Sequence, residues 1–244
     1  MLAALTGLAW WALWAGQDSP WGHSLLHGGH AMVMPMSPAA LAGTFVAGWT
    51  LMTVAMMLPT SAPLILLFHR MVAGRARAGW LVACLVAGYL GVWAAFGFGV
   101  HLTMQGLRAA ATRIVWIDRN PWAAGAGILL CAGVYQFSSL KYACLDKCRS
   151  PMMFLTGHWR GVRPAREAWR LGLAHGAYCL GCCWSLMLVM FVTGMGSLAW
   201  MLALAVAMGA EKNFPWGRRL SPVLGALLVA AGVVAIVMGA AKAG

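Results

Sequence analysis

Long apolar runs make up most of the chain, and short polar segments separate them. The runs show neither the strict alternation of a half-buried strand nor the polar stripe of a soluble helix. Each is close to the roughly 20 residues that a helix needs to cross a bilayer. Lipid offers the backbone no hydrogen-bond partners, so spanning segments must be helices or strands of a closed barrel, and barrel strands alternate. The pattern therefore predicts an all-α, polytopic bundle of transmembrane helices.

The runs predict about seven spans in one integral membrane domain that comprises residues 1–244. The predicted spans are 1–16, 39–60, 79–104, 122–140, 171–193, 197–211 and 220–241. The first and sixth are short for a full crossing. The first also lacks a basic leading region, and Ala15-Gly16-Gln17 fits a signal-peptidase site poorly, so the sequence leaves its processing open.

Composition and charge agree with a membrane protein and indicate its orientation. Hydrophobic residues make up 62% of the chain and charged residues 9%, with a formal net charge of +12. Segments 69–79, 141–170 and 211–219 hold 13 of the 17 Lys and Arg residues. The positive-inside rule then predicts a bacterial inner-membrane protein with these segments in the cytoplasm, its N-terminus inside and its C-terminus outside. Because the basic residues lie between spans, we predict contact with lipid head groups rather than nucleic acid.

The fifth predicted span carries an unusual stripe of soft donor atoms. At about 100° per residue, His175, Cys179, Cys182, Cys183 and Met190 share one face, and Met187 lies at its edge. Thiolates and thioethers select Cu(I), whereas thiolates with imidazole also suit zinc. Single cysteines in membrane helices are often only small packing residues. Three within five residues favour a ligand or redox role.

The second predicted span offers two further thioethers. Met52 and Met56 share a face with Pro59, which is expected to kink the helix near its inner end. At that position the two methionines would lie at about the depth of the fifth-span cysteines. The competing interpretation is that methionine fills apolar helix interfaces without binding anything.

The predicted periplasmic loop, residues 17–37, is rich in donors that tolerate an oxidising compartment. It lacks Lys and Arg and concentrates three histidines and three methionines: His23, His27, His30, Met32, Met34 and Met36. Imidazole suits Cu(II), zinc and nickel, and thioether suits Cu(I). The loop is predicted to collect metal, with an ordinary solvated loop as the alternative.

Two more cysteines lie in the basic segment 141–170. Cys144 and Cys148 are one helical turn apart, and the neighbouring Lys147 and Arg149 favour their thiolate forms. Two thiols supply half a metal site, so release of metal or thiol exchange is the predicted role. Glu211-Lys212 closes the sixth span as either an interfacial pair or a buried proton or cation site.

Together these segments resemble a bacterial family of predicted metal-binding integral membrane proteins, domain of unknown function 2182. The resemblance covers roughly residues 38–216. It rests on Trp49-x-x-Met52-x-x-Ala55-Met56-Met57-Leu58-Pro59, on Tyr135-Gln136-Phe137 with Leu140-Lys141-x-x-Cys144-x-x-x-Cys148-Arg149-x-Pro151, and on Gly176-x-x-Cys179-x-Gly181-Cys182-Cys183-Trp184-x-Leu186-Met187 with Glu211-Lys212. It implies a multi-pass membrane fold and metal binding.

Three functions compete on this sequence. The first is a copper-handling membrane protein that binds, transfers or delivers Cu(I), with zinc as a second candidate metal and a membrane metalloenzyme or copper chaperone as partner. The second is a membrane thiol–disulfide redox protein. The third is a non-catalytic scaffold subunit of a larger membrane complex. No nucleotide-binding Gly-x-x-x-x-Gly-Lys motif and no catalytic triad pattern occur, so the sequence favours the first and does not predict an enzyme.

Overall fold

The chain folds into a bundle of helices in the computed structural model, which describes residues 2–16, 37–111, 113, 120, 122–194 and 197–243. Over these ranges there is no strand. The helices are α1 (Leu2–Gly16), α2 (Pro38–Thr60), α3 (Ala62–Val72), α4 (Ala78–Ala111), α5 (Trp122–Tyr135), α6 (Ser139–Arg149), α7 (Pro151–His158), α8 (Pro164–Thr193), α9 (Leu198–Asn213) and α10 (Leu220–Ala243), with a 3-10 turn at Gly217–Arg219.

Several of these helices are able to cross a membrane. Within the described ranges, α2, α4, α8 and α10 are long and apolar enough, and α5 with α6 adds a fifth if the bent pair forms one span. The α1 and α9 helices have 15 and 16 residues, which is short for a full crossing. The all-helical architecture and the apolar spans are confirmed. The count of seven spans and the orientation stay predictions.

The middle of the chain differs from the sequence-based prediction. The predicted fourth span, 122–140, breaks after Tyr135, and α6 leaves it at an angle of 65°. The break occurs because Ser138 is extended and its Oγ accepts the backbone N–H of Lys141, which starts a new helix. The basic segment 141–170, predicted to be a cytoplasmic loop, contains most of α6, all of α7 and the start of α8.

Glycines on α8 allow close packing against α4. A Cβ atom on Gly172 would lie 2.1 Å from the Leu85 carbonyl oxygen, and one on Gly88 would lie 2.4 Å from the Trp169 carbonyl oxygen. Gly176 faces Tyr89 and Val92 on the same helix at about 3 Å. The small-residue motif Gly172-x-x-x-Gly176 is thus the surface on which two membrane helices meet. This contact places Tyr89 beside the cysteines of α8.

Replacing Gly172 with alanine is expected to destabilise the fold. The new methyl group would meet backbone atoms that cannot rotate away, and overpacking of this kind costs about 1–3 kcal/mol. The measurement is the thermal unfolding midpoint in detergent. Gly99→Ala on α4 is the matched control, because a Cβ there meets nothing within 4 Å. Equal midpoints for the two variants would contradict the packing.

Helices α2 and α8 pack antiparallel to each other, with contacts near both ends of α2. Phe45 and Trp49 stack on Phe191, with ring centroids 6.5 and 6.1 Å apart. At the other end, Ser61 Oγ lies 3.1 Å from His175 Nε2. Helix α9 joins the same end, where its Lys212 reaches the last residues of α2. We call the line along which α2, α8 and α9 pack together the seam. The residues that carry the predicted chemistry converge at one end of it.

Candidate metal centre

Three thiols from two helices lie next to one another. Cys182 Sγ is 3.3 Å from Cys183 Sγ on α8 and 4.0 Å from Cys148 Sγ on α6. Cys182 and Cys183 are fully buried, and Cys148 is partly exposed. The structure thus joins the fifth-span cysteines to a cysteine that the sequence placed in a separate loop.

The sharp bend between α5 and α6 creates this meeting. Tyr135, the last residue of α5, donates its hydroxyl to the Gly181 carbonyl at 2.5 Å, which ties the bend to α8. An ideal Cβ on Gly181 would lie 2.5 Å from Cys144 Sγ, so only glycine lets α6 approach this closely. Cys144 packs here, and the next turn of α6 brings Cys148 to Cys182. Cys144 therefore positions the helix, and Cys148 reaches the thiols.

Cys179 is held by groups on two other helices. Its Sγ lies 2.9 Å from Lys212 Nζ on α9 and 3.0 Å from the Tyr89 hydroxyl on α4. Both partners are buried. An ammonium beside a sulfur stabilises the thiolate, which is the form that binds metal. Sequence reasoning did not link either partner to Cys179, although a lone tyrosine hydroxyl in an apolar span and a lysine at a span end are both unusual in membranes.

Replacing Lys212 with methionine is expected to weaken Cu(I) binding about tenfold to a hundredfold, because a hydrogen bond to a charged group contributes about 1.5–3 kcal/mol. A buried ammonium balances the negative charge that collects when the neighbouring thiolates bind Cu(I), and methionine supplies no such charge. Competition with a Cu(I) chelator measures the effect. Lys242→Met removes the same charge at the exposed end of α10 and serves as control. An unchanged affinity in Lys212→Met would contradict this role.

His175 contacts groups on two neighbouring helices, and its predicted role as a ligand stays a prediction. Its Nε2 lies 3.1 Å from Ser61 Oγ, and its ring stacks on Tyr89 with centroids 5.6 Å apart. It is 3% exposed, and its Nδ1 has no hydrogen-bond partner among the described residues.

The predicted methionines all lie in the core. Met52, Met56, Met187 and Met190 are all fully buried. Met52 and Met56 lie between Trp49 and Ser61 on α2, and Met187 and Met190 lie between His175 and Phe191 on α8, so all four belong to the same antiparallel pair of helices. Three further methionines, which the sequence did not single out, are equally buried: Met57, Met201 and Met208.

Other predicted donors cannot be placed. The histidines and methionines of the periplasmic loop, His23, His27, His30, Met32, Met34 and Met36, lie outside the described residues. In the part of the chain that the structure does describe, no group of three or more His, Cys, Asp or Glu side chains is already arranged as a metal site. The ligand roles of the predicted residues therefore stay predictions.

A buried ion pair next to the thiols fixes α6 against α9. Lys141 Nζ lies 2.7 Å from Glu211 Oε1 and also donates to Gln136, and both charged side chains are at most 1% exposed. Ser221 donates its hydroxyl to the same carboxylate oxygen at 2.6 Å. Glu211 and Lys212 are 0% and 5% exposed, which favours the buried interpretation of Glu211-Lys212. The ion pair of Lys141 with Glu211 holds the bent helix in place, and with it Cys148.

Comparison with known proteins agrees with this chemistry. No curated protein and no solved structure matches the chain. The family PpoB2, described as a copper chaperone, matches residues 46–235, which is most of the chain. That range contains all of the thiols in the cluster. The chain belongs to the PpoB2 copper chaperone family.

Proposed function

We propose that the protein binds Cu(I) within its helical bundle at a centre formed by Cys182, Cys183 and Cys148. The supporting observation is the approach of these three sulfur atoms, at 3.3 and 4.0 Å, in a buried place. Cys179 lies one turn away, with its sulfur 2.9 Å from the Lys212 ammonium. Copper is the cargo of the protein, held by sulfur ligands and passed on.

The sulfur separations suit a shared metal ion. A metal held tetrahedrally by thiolates at about 2.3 Å keeps its sulfur atoms about 3.8 Å apart. The separations of Cys182 from Cys183 and from Cys148 lie on either side of that value, which suits a shared ion. Soft thiolates with nearby thioethers favour Cu(I) over harder cations. Zinc usually takes four ligands in a structural site. The cluster offers three thiols, and the fourth, Cys179, is bonded to Lys212 and Tyr89, so the site suits zinc less well.

The buried methionines extend the centre along the seam. Met52 and Met56 on α2 and Met187 and Met190 on α8 are fully buried, and they would supply thioether ligands in addition to the thiols. Thioethers bind Cu(I) without losing a proton and exchange it readily compared with thiolates. We infer that copper collected by the periplasmic His/Met loop reaches the thiols along this seam. A membrane metalloenzyme or another copper chaperone would be its recipient.

A metal count on the purified protein tests the proposal. Wild-type protein would be isolated in mild detergent without chelator, loaded with Cu(I), washed, and analysed for copper and zinc by plasma mass spectrometry. Retention of about one copper per chain against a competing chelator is the expected result. Retention of zinc in its place would contradict the copper assignment. Loss of all metal under these conditions would overturn metal binding altogether.

A further inference from the structure

A cavity of about 220 Å³ opens beside the thiol cluster. It lies where the ends of α2, α6 and α9 meet the starts of α3 and α7, beside His175 of α8. The residues used below are Ser61, Cys148, Arg149, His175, Lys212 and Asn213, all of which line it. Its volume is below the roughly 300 Å³ at which pockets for drug-sized ligands begin. An occupant would be about the size of one amino acid.

The cavity offers both a reactive sulfur and an unused donor atom. Cys148 lines it and is partly exposed, while its Sγ lies 4.0 Å from the buried Cys182. His175 is 3% exposed, and its Nδ1 has no partner within the described residues. A buried polar atom without a partner is costly, and His175 is one of the residues that line the cavity, so its free ring nitrogen favours a ligand there. Cys148 thus connects the cavity to the metal centre.

The charge of the lining selects an anion. Among the described residues, Arg149 donates to the backbone carbonyls of Glu211 at 2.5 Å and Pro215 at 3.1 Å and forms no ion pair with a carboxylate. The other cation of the lining, Lys212, is already paired with Cys179, so Arg149 carries the charge that an anion would meet. No carboxylate is among the residues that line the cavity. Guanidinium groups bind carboxylates with two parallel hydrogen bonds and are therefore suited to hold one.

We propose that this cavity binds a small carboxylate-bearing thiol that exchanges Cu(I) with Cys148. This inference rests on the copper function proposed above and adds the class of exchange ligand. The carboxylate would lie against Arg149, and the sulfur would lie beside Cys148. In the loading direction, the Cys148 sulfur bonds to Cu(I), the bond between copper and the carrier sulfur breaks, and the Cys148 proton passes to the departing thiolate. Copper stays Cu(I), so no oxidant or reductant is needed.

The anion site can be tested without copper. Iodoacetate and iodoacetamide alkylate thiols alike, but only iodoacetate is negative, and mass spectrometry locates the product on Cys148. The rate of alkylation by iodoacetate divided by the rate with iodoacetamide should be about tenfold higher at Cys148 than at a free small thiol. Tenfold is the lower end of electrostatic enhancement in a charged cleft. Arg149→Gln should remove the preference. Arg218→Gln is the matched control, because it removes one exposed charge of the same kind outside the cavity.

Ligand recognition has its own matched pair of probes. The inert anion 3-(methylthio)propionate should protect Cys148 from iodoacetamide, and its neutral amide should not. In copper-loaded protein, 3-mercaptopropionate should remove Cu(I) faster than neutral 2-mercaptoethanol, and Arg149→Gln should equalise the two. An absent charge preference at Cys148, or equal protection by the acid and the amide, would overturn the anion site. If the anion site responds as expected but the protein holds no Cu(I), the proposed function fails and the exchange role with it, while the anion site stands.

Discussion

Replacing Cys179, Cys182 and Cys183 together with serine is expected to abolish copper binding in a chain that still folds. Serine has nearly the shape of cysteine, but its hydroxyl does not supply the thiolate that binds Cu(I). The loss removes two of the three sulfur atoms in the cluster and the thiolate beside Lys212. Plasma mass spectrometry of the loaded, washed protein should show copper near the detection limit in the variant.

The controls for this variant separate ligand loss from misfolding. Cys84→Ser with Cys131→Ser removes two thiols that lie outside the cluster, one half-buried and one exposed. This double variant should keep the copper content of the wild type. Circular dichroism and gel filtration in detergent should be the same for all three proteins. Full copper retention by the triple variant would place the metal elsewhere in the chain and would contradict the proposed centre.

Replacing Glu211 with alanine is expected to destabilise the protein by about 3–5 kcal/mol, because it leaves the Lys141 charge buried without its partner. The side chains are 0% and 1% exposed, so water cannot compensate. The loss would also free α6, and with it Cys148, from the bundle. Chemical or thermal unfolding in detergent measures the change, and copper retention should fall together with stability.

Two comparisons test that explanation. Asp146→Ala breaks the ion pair with Arg218, whose side chains are 56% and 50% exposed, and should cost no more than about 1 kcal/mol. The double variant Lys141→Met with Glu211→Leu removes both charges and should recover most of the lost stability, because apolar residues of similar size often replace a buried pair well. A double variant as unstable as Glu211→Ala would show that the pair does more than balance its charges.

The all-helical membrane fold was readable from the sequence alone. Apolar runs near bilayer length leave the backbone no alternative to helices, so α2, α4, α8 and α10 follow closely from the pattern. The spacing of Cys179, Cys182 and Cys183 likewise shows that the three thiols belong to one helix. Two small residues at Gly172-x-x-x-Gly176 are typical of close helix contacts, and in the structure they pack against α4.

Only the tertiary structure brought Cys148 to Cys182 and Lys212 to Cys179. These contacts join residues 34 and 33 positions apart, respectively, and depend on the 65° bend at residues 136–138 and on the buried pair of Lys141 and Glu211. Helical periodicity shows which residues share a face, but it does not show which face of another helix lies opposite. The sequence by itself therefore determined the helices and the donor atoms of this copper chaperone family member. Packing between distant helices decided which donors meet, because those contacts depend on bends and buried charges rather than on local spacing.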